Sequence, residues 1–107
     1  MENINYSKHY NNSRRYRENF IKNHLNGDGH IIDSFIVDKK HSMGLECHSI
    51  TDNGIIIIYN KNSGKLVTKL IARSSQIKRY YYKSGREPPK WLLDLCDWHE
   101  SLGYNRL

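Results

Sequence analysis

Residues 45–82 read LECHSITDNGIIIIYNKNSGKLVTKLIARSSQIKRYYY, and this stretch decides the fold. Residues 45–52 read as the first strand of the stretch, with alternate residues sharing a face. Asn53-Gly54 follows, a pair that favours a type I′ hairpin because both central positions of that turn need positive φ. Ile55 to Tyr59 is a nearly unbroken β-branched run, the signature of a central strand covered on both faces. Residues 60–64 (NKNSG) make a second turn, and residues 65–73 return as a further strand. The pattern predicts an antiparallel meander.

Upstream, residues 31–38 (IIDSFIVD) read as another strand, with Ile31, Phe35 and Val37 on one face and Ile32 and Ile36 on the other. It pairs with residues 45–52 if the loop at residues 39–44 closes tightly, which makes the sheet four-stranded. Ser13 reads as the N-cap of a helix over residues 14–25, with Tyr16, Phe20, Ile21 and Leu25 at helical spacing and Asn26-Gly27-Asp28-Gly29 as its stop. Its Arg14, Arg15, Arg17 and Lys22 border that stripe as a solvated face. Residues 1–12 are polar and read as a flexible segment, leaving residues 13–107 as one domain. Downstream, Ser74 or Ser75 caps a short helix over residues 76–83, and Ser84-Gly85 breaks it. Pro88-Pro89 then introduces a last helix, whose Trp91, Leu92, Leu95, Trp98 and Leu102 make an apolar face to pack on the sheet, with Gly103 at its end. The expected fold class is therefore α+β: a single domain with an N-terminal helix, a four-stranded antiparallel meander and C-terminal helices packed on the sheet.

At 107 residues the chain suits one domain with a modest core. No apolar run approaches the roughly 20 residues of a membrane span, and the N-terminus lacks the apolar segment of a signal peptide. Cys47 and Cys96 are too few for a disulfide framework, so a reducing cytoplasm is expected. The formal net charge is +6, but it is concentrated: between residues 65 and 90, Lys and Arg contribute eight charges against Glu87 alone. Tyr80, Tyr81 and Tyr82 interrupt this basic segment. Cations that meet phosphates beside rings that stack on bases point to RNA or DNA as the partner.

Glu46 and His48 share a strand face about 7 Å apart, a pairing that suits general acid–base chemistry at neutral pH. Lys65, Lys69 and Arg73 alternate with Thr68 and Ala72 on a later strand. Arg73 leads into Gln76, Lys78 and Arg79, and its guanidinium suits bidentate phosphate binding. His48, Arg73 and a cation from the following turn would suffice for RNA cleavage by the 2′-hydroxyl, with His41 as a candidate second imidazole. Cys96-x-x-His99 places two potential metal ligands one helical turn apart, which Cys47 or His48 with His41 could extend. Cys96 adjoins an apolar face and no Cys-x-x-Cys pair is present, so no metal or cofactor is expected. Gly-rich phosphate loops, a nucleophile elbow and carboxylate clusters for two-metal chemistry are also lacking.

The run from Leu45 to Arg73, with its His on an early strand and its Thr and Arg on a later one, resembles the barnase/EndoU/colicin/RelE-like (BECR) nucleases, in particular their small phage- and toxin-associated branch. The resemblance covers residues 13–82. It implies an N-terminal helix before a curved antiparallel sheet and metal-independent RNA cleavage to a cyclic phosphate. His48 becomes the general acid or base. Thr68 and Arg73 fall on the scissile phosphate, and Lys78 or Arg79 on the flanking backbone. Lys69, Gln76, Tyr80 and Tyr82 complete the expected nucleic-acid surface. The alternative is a non-enzymatic, phage-type module whose basic surface at residues 65–90 binds nucleic acid or inhibits a host enzyme; a further one is an adaptor that docks a protein through Tyr80 to Tyr82.

Overall fold

A computed structural model describes residues 8–39 and 44–102. The elements follow in the order α1 (Lys8–His24), β1 (Ile31–Lys39), β2 (Gly44–Thr51), β3 (Ile55–Asn60), β4 (Leu66–Ile71), α2 (Ser74–Lys83) and α3 (Lys90–Ser101). The strands form one antiparallel sheet in the order β1-β2-β3-β4, the expected meander. No helix among the described residues is long and apolar enough to cross a membrane. His41, Gly103 and residues 1–7 lie outside the described residues, as do the side chains of Arg14 and Tyr16.

Side chains alternate between the two faces of a strand, and on β3 both faces are covered. Ile56 and Ile58 join Phe35, Ile50, Ala72, Ile77, Tyr81, Leu92 and Cys96 in a core beneath α2 and α3. Ile55 joins Ile71, the α1 residues Phe20 and Ile21, and Leu25 just after that helix on the other face. The helices thus cover both faces of the sheet. A fully buried Ile contributes about 1.5–3 kcal/mol, and Ile50, Ile55, Ile56 and Ile77 are all in that state. Those four fix which side of the sheet each helix takes.

Three local readings are corrected. Helix α1 starts at Lys8, so Ser13 lies inside it rather than capping it. Helix α2 starts at Ser74 with Arg73 as its N-cap residue, whose backbone N–H donates to Gln76 Oε1 at 2.9 Å. The serines are its first turn, not its cap. The β2–β3 connection is not a type I′ turn, because only Gly54 takes positive φ (76°). Gly54 N–H donates to the Thr51 carbonyl at 3.1 Å, which leaves Gly54 as a left-handed residue after a tight turn.

Asn53 has a second duty that explains why the turn is not free to choose its type. Its side-chain amide donates to the Leu25 and Gly27 carbonyls, capping the C-terminus of α1. Thr51 Oγ1 donates to the Asp28 carbonyl at 2.5 Å and accepts from the Asn53 and Ile55 amides. The hairpin and the helix end are one hydrogen-bonded unit.

The last helix is rotated from its expected orientation. Leu92, Cys96 and His99 face inward, while Trp91, Trp98 and Leu102 are exposed. Gly54 is the reason His99 fits: a Cβ at this position would lie 3.1 Å from the His99 ring. Gly64 has the same backbone sign (φ 73°) with open space around it. Alanine at Gly64 should therefore cost only the left-handed penalty of about 1–2 kcal/mol, whereas alanine at Gly54 adds the collision with His99. Urea denaturation of the two variants should place Gly54→Ala clearly below Gly64→Ala, and equal stabilities would contradict this packing.

Candidate functional site

The register builds one row of side chains across the face beneath α2: Phe35 pairs with His48, His48 with Ile58, and Ile58 with Thr68. Glu46 lies in the next row on the same face, opposite Val37 and Asn60. Glu46 and His48 are brought together as expected, but in the interior. His48 is only 6% exposed. Its Nε2 lies 2.9 Å from Glu46 Oε1 and its Nδ1 lies 2.5 Å from the hydroxyl of Tyr80 on α2.

This chain of contacts assigns the protons. A carboxylate only accepts, so Nε2 carries the hydrogen donated to Glu46. In the neutral ring Nδ1 is then the acceptor and receives the Tyr80 O–H. Burial raises the Tyr80 phenol above its ordinary range, with Arg79 opposing and Glu46 adding to the rise. Tyr80 therefore stays protonated at neutral pH and its oxygen keeps lone pairs for a further contact.

A cleft of about 390 Å³ opens over this chain. Phe35, Ile36 and Val37 of β1 form one wall, and Gln76, Arg79, Tyr80 and Lys83 of α2 the other, with His48 at its base and Lys39 and Ser84 also lining it. Residues 76, 79, 80 and 83 share a helix face by their spacing. The exposed Lys39, Arg79 and Lys83 give the cleft a cationic rim.

The remaining expected site residues are dispersed. Thr68 lies two strands from His48, about 10 Å by strand spacing, and does not line the cleft. Arg73 is exposed at the start of α2 and Lys78 is exposed elsewhere on that helix; neither lines the cleft. Lys69 faces the opposite side of the sheet with Ile71 and Ile57, where its ammonium lies 2.7 Å from Asp28 and its carbonyl accepts from Arg17 Nε at 3.2 Å. The tyrosine triplet splits as a helix must split it: Tyr81 is buried, Tyr82 is exposed outside the cleft, and Tyr80 stacks on Phe35 with ring centroids 5.3 Å apart. Sequence reasoning missed Lys39, Lys83 and the β1 wall. The i, i+3, i+4, i+7 spacing of Gln76, Arg79, Tyr80 and Lys83 was the available signal.

Arg86, counted with the basic surface, is committed to the fold. Its guanidinium grips Asp33 through two 3.1 Å hydrogen bonds and lies over the Phe35 and Tyr81 rings at 5.3 and 5.2 Å. Burial works to raise the Asp33 pKa, but hydrogen bonds from Arg86 and Tyr81 outweigh it and hold the carboxyl below its usual range. Burial and the same Asp33 bond push the Tyr81 phenol up to about 12. This cluster fixes the end of α2 against β1 and so sets the width of the cleft.

The expected Cys96/His99 pair lies on the inward face of α3, and the candidate partner His41 is outside the described residues. Among the described residues no three His, Cys, Asp or Glu side chains are grouped to hold an ion. Burial, with Asp97 and Glu100 adding, pushes the Cys96 thiol up to about 12, far from a ready thiolate ligand. Comparison of the chain with protein-family models, with curated proteins and with solved structures gives no match.

His99 carries a pH consequence instead. Its Nδ1 is buried without a hydrogen-bond partner, and burial lowers the ring's pKa below the ordinary value. The unfolded chain, with histidine near 6.5, then takes the proton first as pH falls. This contribution to stability is present above about pH 6.5 and is lost as pH drops toward the folded pKa. The urea midpoint should decline between about pH 7.5 and 5.5, and His99→Gln should remove part of that decline. An unchanged decline in the variant would contradict the assignment.

Proposed function

We propose that the cleft between β1 and α2 binds an RNA strand and cleaves it without a metal, with Tyr80 at the ribose and His48 acting through Tyr80. The observation that carries this reading is the Glu46–His48–Tyr80 chain, which ends at a cleft rimmed by Lys39, Arg79 and Lys83. The resemblance of the sequence pattern to the BECR nucleases supports it for His48. It differs for the phosphate: in this proposal Arg79 and Lys83, rather than Thr68 and Arg73, meet the scissile group.

The chemistry follows from the proton positions. The 2′-hydroxyl passes its proton to the Tyr80 oxygen while Tyr80 passes its own to His48 Nδ1. Glu46 holds the resulting imidazolium. The 2′-oxygen bonds to phosphorus, and the guanidinium of Arg79 and the ammonium of Lys83 balance the charge that grows on the phosphoryl oxygens. The bond to the 5′-oxygen breaks, and that oxygen takes a proton from solvent at the open mouth. Products are a 2′,3′-cyclic phosphate and a 5′-hydroxyl, and His48 returns its proton to solvent through Tyr80.

A second reading is favoured by the near-complete burial of His48 and by its two occupied nitrogens. In it the polar chain ties α2 to the sheet, and the cationic rim serves a non-enzymatic module that binds nucleic acid or blocks a host enzyme. Incubation with total RNA in excess EDTA separates the two. The first reading expects cyclic-phosphate ends from the native protein and a loss of about 10²–10⁴-fold in Tyr80→Phe and His48→Ala. Intact RNA that is nevertheless bound would overturn cleavage and leave the binding module. In either case Arg79→Ala and Lys83→Ala should each flatten the salt dependence of RNA binding by about 0.7 in log–log slope.

A further inference from the structure

We propose that the outer face of α3 is a docking surface for a basic amphipathic helix of a partner protein. Trp91, Trp98 and Leu102 are 52%, 54% and 42% exposed. With the half-buried Leu95 they follow the i, i+4, i+7, i+11 spacing of a single stripe, about 16 Å long. Both tryptophans of the chain are in it. Tryptophan is the residue type most concentrated at binding hot spots, and large apolar side chains aligned on one exposed helix face are rarely left to solvent.

Charge and area select the occupant. Asp94, Asp97 and Ser101 form the flank beside the stripe by helical spacing, and α3 carries Asp94, Asp97 and Glu100 against Lys90. Lys90 lies on that same flank and pairs with Asp94 at 2.9 Å, which leaves the flank a net charge of −1 and the helix −2. In a chain of net charge +6 this is a local acidic strip, and it complements lysines and arginines rather than nucleic acid. The two half-exposed tryptophans together offer on the order of 250 Å². That is well below the ~800 Å² per partner of a standard interface, so the stripe alone does not make a dimer of this chain. It suits a single helix laid alongside α3, with apolar anchors on the tryptophans and basic residues over Asp94 and Asp97.

The probe is a synthetic Leu/Lys amphipathic peptide of about 18 residues, long enough to hold a helix, with a Leu/Glu peptide of the same pattern as its charge-reversed counterpart. The tryptophan emission of the whole protein reports on the stripe alone, and it should shift to the blue on addition of the Leu/Lys peptide. Anisotropy of the labelled peptide should show binding weakened about tenfold or more for Trp91→Ala/Trp98→Ala, and likewise for Asp94→Asn/Asp97→Asn at low salt. The Leu/Glu peptide, which the cationic cleft attracts away from the stripe, should give a correspondingly smaller blue shift of the tryptophans. The cationic cleft repels the Leu/Lys probe and does not compete for it. The proposal is overturned by absence of the blue shift, by equal blue shifts with both peptides, or by undiminished binding of the Leu/Lys peptide to the aspartate variant. Sedimentation that finds a dimer dissolved by the tryptophan substitutions would assign the stripe to a second copy of the chain and overturn it as well.

Discussion

A buried imidazole nitrogen is costly to leave unpaired, and the arrangement of this protein around β2 follows from the two partners that His48 finds. His48 takes one partner from its own strand, Glu46, and the other from α2, Tyr80. Leaving either nitrogen unmet would cost about 1–3 kcal/mol. Tyr80 must therefore stand over β2, and its helix cannot slide without breaking the contact. The turn of α2 that holds Tyr80 also holds Arg79 and Lys83, so the ring that anchors the helix also positions the cationic rim of the cleft.

Two further ties complete the frame. Arg86 clamps Asp33 and covers Phe35 and Tyr81, which fixes where α2 ends relative to β1. On the other face, Asn53 and Thr51 bind the end of α1 to the β2–β3 hairpin. The sheet thus has a site-bearing face under α2 and α3 and a bracing face under α1. Lys69 belongs to the bracing face: its bond to Asp28 holds the loop after α1 to β4. Of the eight cations between residues 65 and 90, Lys69, Arg86 and Lys90 are engaged in ion pairs among the described residues. The surface they were expected to form is smaller than composition implies, and it centres on α2.

The strands were legible because their period is two and their punctuation is strong. The Ile55 to Tyr59 run and the two glycine-bearing turns allow little else, and alternation alone put Glu46 beside His48. The rotation of the helices was not legible. Whether Tyr80, Tyr81 or Tyr82 turns inward depends on what the sheet presents: Tyr81 fits the apolar core, and Tyr80 meets an imidazole that needs a donor. Trp91 and Trp98 are more apolar than Cys96 and His99, so sequence alone turned them toward the sheet. Gly54 makes room for the His99 ring on the inward face, since a Cβ there would lie 3.1 Å from it. Asn53 was read only as a turn residue because its side-chain role is a contact with residues 25 and 27, far away in sequence. Local propensity carries no information about such a partner.

The account rests on the proton positions in the Glu46–His48–Tyr80 chain, and ¹⁵N NMR of the imidazole reads them directly. At neutral pH the account predicts that His48 is a single tautomer with the hydrogen on Nε2 and an unprotonated, hydrogen-bonded Nδ1, the latter losing its hydrogen-bond shift in Tyr80→Phe. A ring with the hydrogen on Nδ1, or one that exchanges between tautomers as a solvent-exposed histidine does, would contradict it.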